Sequence, residues 1–179
     1  MTAIDYDLEF LEDGRTIQLI SIGMVCDDGR ELYAVSAEFD QSAVRQHPWL
    51  REHVWPQLPI KKNPLGVRGV DQLDLNHPDV RPRAQIARMV AEFIQATPDV
   101  ELWANYGAYD HVCLAQLWGR MIDIPEGVPM FTSDIQQEVR RLGLSWDDLP
   151  KQEDGEHNAL ADARHNQTVR RWLTERAAS

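Results

Sequence analysis

Tyr6-Asp7-Leu8-Glu9-Phe10 alternates apolar and acidic residues at period two, the pattern of a strand with one buried face and one polar face. On such a strand Asp7 and Glu9 point the same way, ~6.6 Å apart, and Asp5 stands one step before them on that face. The first basic residue is Arg15, so Asp5, Asp7, Glu9, Glu12 and Asp13 all precede any local counter-charge. Carboxylates crowded on a partly buried strand either rise in pKa or hold a cation, and hard oxygen ligands suit Mg²⁺ or Mn²⁺. The strand therefore reads as half of a metal site. A solvated acidic edge strand is the alternative, and one Asp-x-Glu does not separate the two.

Working outward, Asp13-Gly14 leads into the β-branched run Thr16 to Val25, and Asp28-Gly29 leads into Glu31 to Phe39. Asp-Gly between strand-like runs is a hairpin signal, so residues from about 3 to 39 read as a three-stranded antiparallel meander. The signal weakens between about 41 and 83. A short helix fits Ser42 to Trp55 despite Pro48, and Leu58 to Pro82 reads as an irregular connection. Lys61, Lys62 and Arg68 there could approach a polyanion, or the segment could simply cover the sheet or meet a second subunit.

Ile86, Met89, Val90, Phe93 and Ile94 then recur at helical spacing between Pro82 and Ala96. Val100 to Ala104 is a strand, followed by a helix that runs to Leu117 and stops near Gly119. Val128 to Phe131 is a short strand candidate. Ser133 and Gln136 form a capping-box pattern for a helix closed by Gly143, and a last helix runs from about Asn158 to Arg176. The expected fold is α/β: a ribonuclease H-like mixed sheet, an antiparallel three-stranded meander plus two parallel strands, flanked by helices, with residues 1–179 as one domain.

Composition bounds the function. With 43% hydrophobic and 26% charged residues and no apolar run near the ~20 residues of a membrane span, a membrane protein is not expected. The first residues lack the basic and apolar regions of a signal peptide, so the expected compartment is the cytoplasm. Cys26 and Cys113 form no CxxC pair and read as buried, reduced thiols. A net charge of −11 argues against wrapping nucleic acid by bulk electrostatics. The basic clusters at Lys61-Lys62, Arg81 to Arg88, Arg140-Arg141 and Arg164 to Arg176 read as solvated faces. The six tryptophans read mostly as core or subunit contacts.

Two further acids matter. Asp110 lies just past the carboxyl end of the Trp103 strand, where open α/β sheets place their ligands. Asp162 shares an inward stripe with Asn166, Val169 and Leu173 on the last helix. His157, five residues before Asp162, would point about 140° away on a continuous helix. It must therefore precede the helix, with Asn158 as N-cap, and reach the site from a loop. His47, His53, His77, His111 and His165 read as surface or structural.

These motifs in this order resemble the DEDDh subgroup of DnaQ-like 3′-to-5′ exonucleases: Asp7-x-Glu9, then Asp110, then His157-x4-Asp162. Asp7-Leu8-Glu9-Phe10, Leu19 to Gly23, Gly107 to His111 and Gln116 to Gly119 look most like the polyadenylate-specific exoribonucleases of the AS type, while residues 56–83 match least. The resemblance implies a metal-dependent exoribonuclease that releases nucleoside 5′-monophosphates from RNA 3′ ends, with adenylates preferred. It implies two Mg²⁺ ions, with Mn²⁺ as a substitute, held by Asp7, Glu9, Asp110 and Asp162, and His157 as general base. It implies that Glu9 and Phe10 meet the terminal nucleotide, although Phe10 could equally be a core side chain. A homodimer with no organic cofactor and no membrane partner completes that expectation. The competing readings are a proofreading-type DNA exonuclease, a non-catalytic ribonuclease H-like binding module, and a metallohydrolase built on His157, Asp162 and His165.

Overall fold

In the computed structural model residues 1–62 and 71–178 are described. Arg68 lies outside them. The acidic strand is β1, Thr2–Glu12, and it pairs antiparallel with β2, Ile17–Cys26, which pairs antiparallel with β3, Glu31–Ser36. Helices α1, Gln41–Gln46, and α2, Pro48–His53, follow. A small separate ribbon joins β4, Ile60–Lys61, to β5, Gln72–Leu73. Then come β6, Val80–Arg81; α3, Arg83–Gln95; β7, Val100–Ala104; α4, Ala108–Ala115; β8, Ser133–Asp134; α5, Ile135–Arg141; and α6, Ala159–Ala177. The main sheet has six strands in the order β6-β3-β2-β1-β7-β8, with β7 parallel to β1, β8 parallel to β7 and β6 parallel to β3. The meander and two parallel strands are as expected, and β6 adds a third parallel strand from the segment read as irregular.

The strand alternation sorts the layers. Ile4, Tyr6 and Leu8 of β1 pack with Ile22 and Met24 of β2, Ile86, Val90 and Ile94 of α3, and Leu114 of α4. The opposite, acidic face of β1 is covered by α6. A bulge between Glu9 and Phe10 leaves Ile20 unpaired on β2 and turns it into a second cluster with Val35, Val44, Leu50 and Val54 under α1 and α2.

Three local expectations change. The single helix expected over residues 42–55 is two, because the residue before a proline is pushed to extended backbone: His47 sits at φ −74°, ψ 114° and Pro48 opens α2. Val128 to Phe131 is not a strand. The Thr132 hydroxyl donates to the Leu102 carbonyl, and pairing with β7 begins one residue later, with Ser133 opposite Trp103. The cap of α5 is Asp134, which accepts from the Gln136 N–H at 2.8 Å, whereas the Ser133 hydroxyl donates to Glu101. No helix among the described residues is long and apolar enough to cross a membrane.

Arg170 is not part of a solvated face. It is buried, and its guanidinium grips the fully buried Asp5 through Nε and Nη2 at 2.8 Å each, while Nη2 also donates to Asp27 at 2.7 Å. Burial pushes Asp5 up to about 6 even with Arg170 against it, so the pair is ionised at neutral pH. Removing one partner strands the other charge in the interior, which costs about 3–5 kcal/mol. Arg170→Ala is expected to lose about that much stability in denaturant unfolding, and Asp5→Asn combined with Arg170→Met is expected to recover most of it.

Candidate active site at the carboxyl end of the central strands

β1 and β7 run parallel, and their carboxyl ends open on the same edge of the sheet. Asp7 and Glu9 reach this edge from β1. Asp110 reaches it from the first turn of α4, where it is buried and its Oδ1 accepts the Leu8 backbone N–H at 2.9 Å. Asp162 comes from the first turn of α6.

What brings Asp162 beside Asp7 is a backbone contact at Gly23, the β2 residue paired with Asp7. A Cβ added at Gly23 would lie 2.2 Å from the Ala159 carbonyl oxygen and 2.4 Å from the Leu160 Cα. Only glycine lets the start of α6 lie directly on the strand. Further along the helix, the Asn166 side-chain amide donates to the Tyr6 carbonyl at 3.2 Å, and Arg170 holds Asp5.

His157 precedes α6, as its spacing requires. Its backbone sits at φ 65°, and its N–H donates to Asp162 Oδ2 at 2.9 Å, while Asn158 caps the helix through the Ala161 N–H. The other Asp162 oxygen accepts from Gln152 Nε2 at 2.7 Å. The imidazole packs edge-on to Trp49, with ring centroids 4.8 Å apart, and 5.3 Å from the ring of His53. One ligand atom each from Glu9, His157 and Asp162 lie within 4.8 Å of one another. Asp7, Asn105, Trp146, Lys151, His157 and Asp162 line a cleft of about 250 Å³ beside them.

Charge is unresolved here. Burial, with Asp162 and Asp110 behind it, pushes Glu9 up to about 9. Burial and the charges of Asp110, Glu9 and Asp162 raise Asp7 well above the usual carboxylate range. Burial lifts Asp110 to about 6 against the pull of the Leu8 N–H, and raises Asp162 despite Gln152 and the His157 N–H. Among the described residues none of these four acids forms an ion pair with Lys or Arg. Hard, converging oxygen donors without an internal counter-charge fit a divalent cation.

The five residues singled out in the sequence thus converge on one edge. Phe10 is half-buried, and its ring stacks on Tyr109 at 6.2 Å. His111 is structural, sharing a hydrogen bond with the Tyr6 hydroxyl, but His165 lines the cleft and His53 backs His157. Gln152 and Lys151 carried no signal in the sequence, whereas Trp49 and Trp146, grouped there with tryptophans of the core or of subunit contacts, are exposed and stand against His157 and in the cleft. A signal was available for Gly23, since a glycine inside a strand pattern marks a bulge or a close backbone approach.

Residues 72–173 match the 3′-5′ exoribonuclease Rv2179c-like domain. The 3′-5′ exoribonuclease Rv2179c of Mycobacterium tuberculosis is 45% identical over 161 residues, which cover 89% of this chain and 85% of that protein. This chain belongs to the Rv2179c-like 3′-5′ exoribonuclease family. Solved structures share the family member's fold at much lower identity. The Mg²⁺- and Mn²⁺-bound form of S. pombe Pop2p aligns with a TM-score of 0.50 at 11% identity, covering 98% of this chain and 82% of that one. Apo exonuclease I aligns with a TM-score of 0.56 at 12% identity, covering 98% of this chain and 44% of that one.

Gly23→Ala is expected to push the first turn of α6 off β2, lowering nuclease turnover about 100-fold through misplacement of Asp162 and stability by about 1–3 kcal/mol. Steady-state assays alongside denaturant titration check both numbers. A second expectation concerns pH. Folded Glu9 keeps its proton up to about 9 whereas an unfolded chain loses it near the ordinary 4.5, so the folded state binds more protons across that window. In chelator, stability therefore falls as pH rises through the window. The melting temperature should drop between about pH 6 and pH 8.5, less so in Glu9→Gln, and Mg²⁺ should reverse the drop in the native protein.

Proposed function

We propose that this family member is a divalent-cation-dependent 3′-to-5′ exoribonuclease of the DEDDh type, cytoplasmic and homodimeric, that releases nucleoside 5′-monophosphates and prefers adenylate-rich RNA ends. The observation that carries the reading is the convergence of Asp7, Glu9, Asp110 and Asp162, with no Lys or Arg paired to them among the described residues and the His157 ring beside them. Asp7, Glu9 and Asp162 would hold one ion, with Asp7 and Asp110 turned to a second. Bound cations supply positive charge against the phosphodiester oxygens and ease deprotonation of water.

The remaining work falls to the chain's own groups. A ring nitrogen of His157, within 4.8 Å of a Glu9 and an Asp162 oxygen, is placed to take the proton of the attacking water. Asp162 holds the histidine loop through its N–H, and Trp49 and His53 limit the swing of the ring. Phe10, stacked on Tyr109, offers an aromatic face to the terminal base. A chain of net charge −11 repels a polyanion at long range, so recognition concentrates on the last nucleotides, where a ribose 2′-OH near Glu9 and a purine's large face count most. The AS-type resemblance supports the adenylate preference. The same resemblance, with the exposed Met121, Ile122, Met130 and Phe131, supports the dimer.

The test is cleavage of matched single-stranded RNA and DNA oligomers ending in A, C, G or U/T, with Mg²⁺ and with Mn²⁺. RNA should be shortened stepwise from its 3′ end and adenylate ends fastest. Asp7→Ala should abolish cleavage in a folded protein, and His157→Ala should lose about 10²- to 10⁴-fold while still binding metal. Equal rates on RNA and DNA would favour the DNA exonuclease reading. Indifference to the terminal base would remove only the adenylate preference.

A further inference from the structure

Trp146 has a second open side. Besides the catalytic cleft, it borders a groove of about 720 Å³ whose other edges include Tyr106, Gln137, Arg140 and Leu144. Tyr106 and Trp146 are 67% and 49% exposed. Among the described residues Tyr106 has no ring partner. Its backbone sits at φ 54°, a left-handed conformation that a tyrosine adopts only when its surroundings force it. They do so on both sides. The Asn105 side chain is pinned by Gln136 Nε2 at 2.7 Å, and the Gly107 N–H by Asp134 Oδ2 at 2.9 Å. The chain thus strains its backbone to hold an aromatic ring out in water, next to a residue of the cleft.

Trp146 is also held in place. Lys151 Nζ donates to its carbonyl at 2.8 Å and lies 5.5 Å from the centre of its ring. Arg141 pairs with Glu138 at 2.8 Å, but the exposed Arg140 on the groove forms no ion pair among the described residues. Among the described residues the groove's lining holds one carboxylate, Asp134, whose two oxygens are already engaged by the Gln136 and Gly107 backbone amides.

Building on the exoribonuclease reading, we infer that this groove carries the nucleotides 5′ to the cleaved end of single-stranded RNA, with Trp146 as the step between groove and cleft. Exposed aromatic rings stack on any unpaired base, and an unpaired arginine meets the phosphates. Duplex RNA keeps its bases stacked inside and gains nothing from such rings, so the track selects single strands. Continuity with the cleft favours the substrate's own chain over a separate partner.

The experiment compares oligoadenylates of two, four, seven and ten nucleotides on the full chain and on Tyr106→Ala, Arg140→Glu and their double variant, each shown to be folded by its melting temperature. In the native protein kcat/KM should rise with length beyond the dinucleotide. The double variant should lose about tenfold on the decamer relative to the dinucleotide, through KM with kcat held, and KM of Arg140→Glu should depend less on salt. Equal losses at every length, or no loss on the decamer, would overturn the groove while leaving the exoribonuclease reading intact. Failure of the native protein to shorten any of these RNAs would overturn that reading, and the groove with it.

Discussion

The seating of α6 on the first two strands is the constraint on which the site depends. At Gly23 helix backbone lies on strand backbone with no side chain between them, and a carbonyl stands where a Cβ would go. Everything the helix contributes follows from that depth. Asp162 meets Asp7 and Glu9, the capped turn at Asn158 throws His157 back toward them, and Asn166 and Arg170 reach β1 further along the helix. A helix set one side chain higher would keep the same fold and lose the site. The apolar face of β1, packed on α3 and α4, supplies the rigid floor against which this seating is defined.

The acidic face of β1 is treated in two ways along its length. Asp5 is fully buried and neutralised by Arg170, an arrangement that orients the helix. Asp7 and Glu9, two and four residues further, face other carboxylates instead. An interior that supplies an arginine to one acid and none to the next two fits an external cation, since replacing these acids by neutral residues would suit the metal-free fold better. The second, aromatic groove repeats the pattern with a different cost, exposed rings and a strained tyrosine backbone in place of unbalanced charge.

Much of this was legible in the residues. Period-two alternation located β1 and the direction of its acids, the Asp-Gly pairs located the hairpins, and helical periodicity located α3 and α6. The angle between positions 157 and 162 was enough to place His157 ahead of the helix. The rest was hidden for physical reasons. Arg170 reads as a surface cation because nothing local shows that its partner is a buried aspartate 165 positions away. β8 is two residues long, too short to alternate, so the apolar stretch before it attracted the strand assignment. Trp49 and His53 sit on the short helix that Pro48 opens, and their meeting with His157 arises only from the packing of distant segments.

The order in which the chain is made gives the seating of α6 a further meaning. Tyr6 and Asn166, which tie strand to helix, are 160 positions apart, so a ribosome finishes the acidic strand long before it finishes the helix that is seated on it. Before position 157 is added, the nascent chain carries Asp7 and Glu9 without His157 or Asp162. Until α6 docks, the acids of β1 lack the partners it brings, so the convergence of the four carboxylates belongs to the folded chain alone and to no shorter stretch of it.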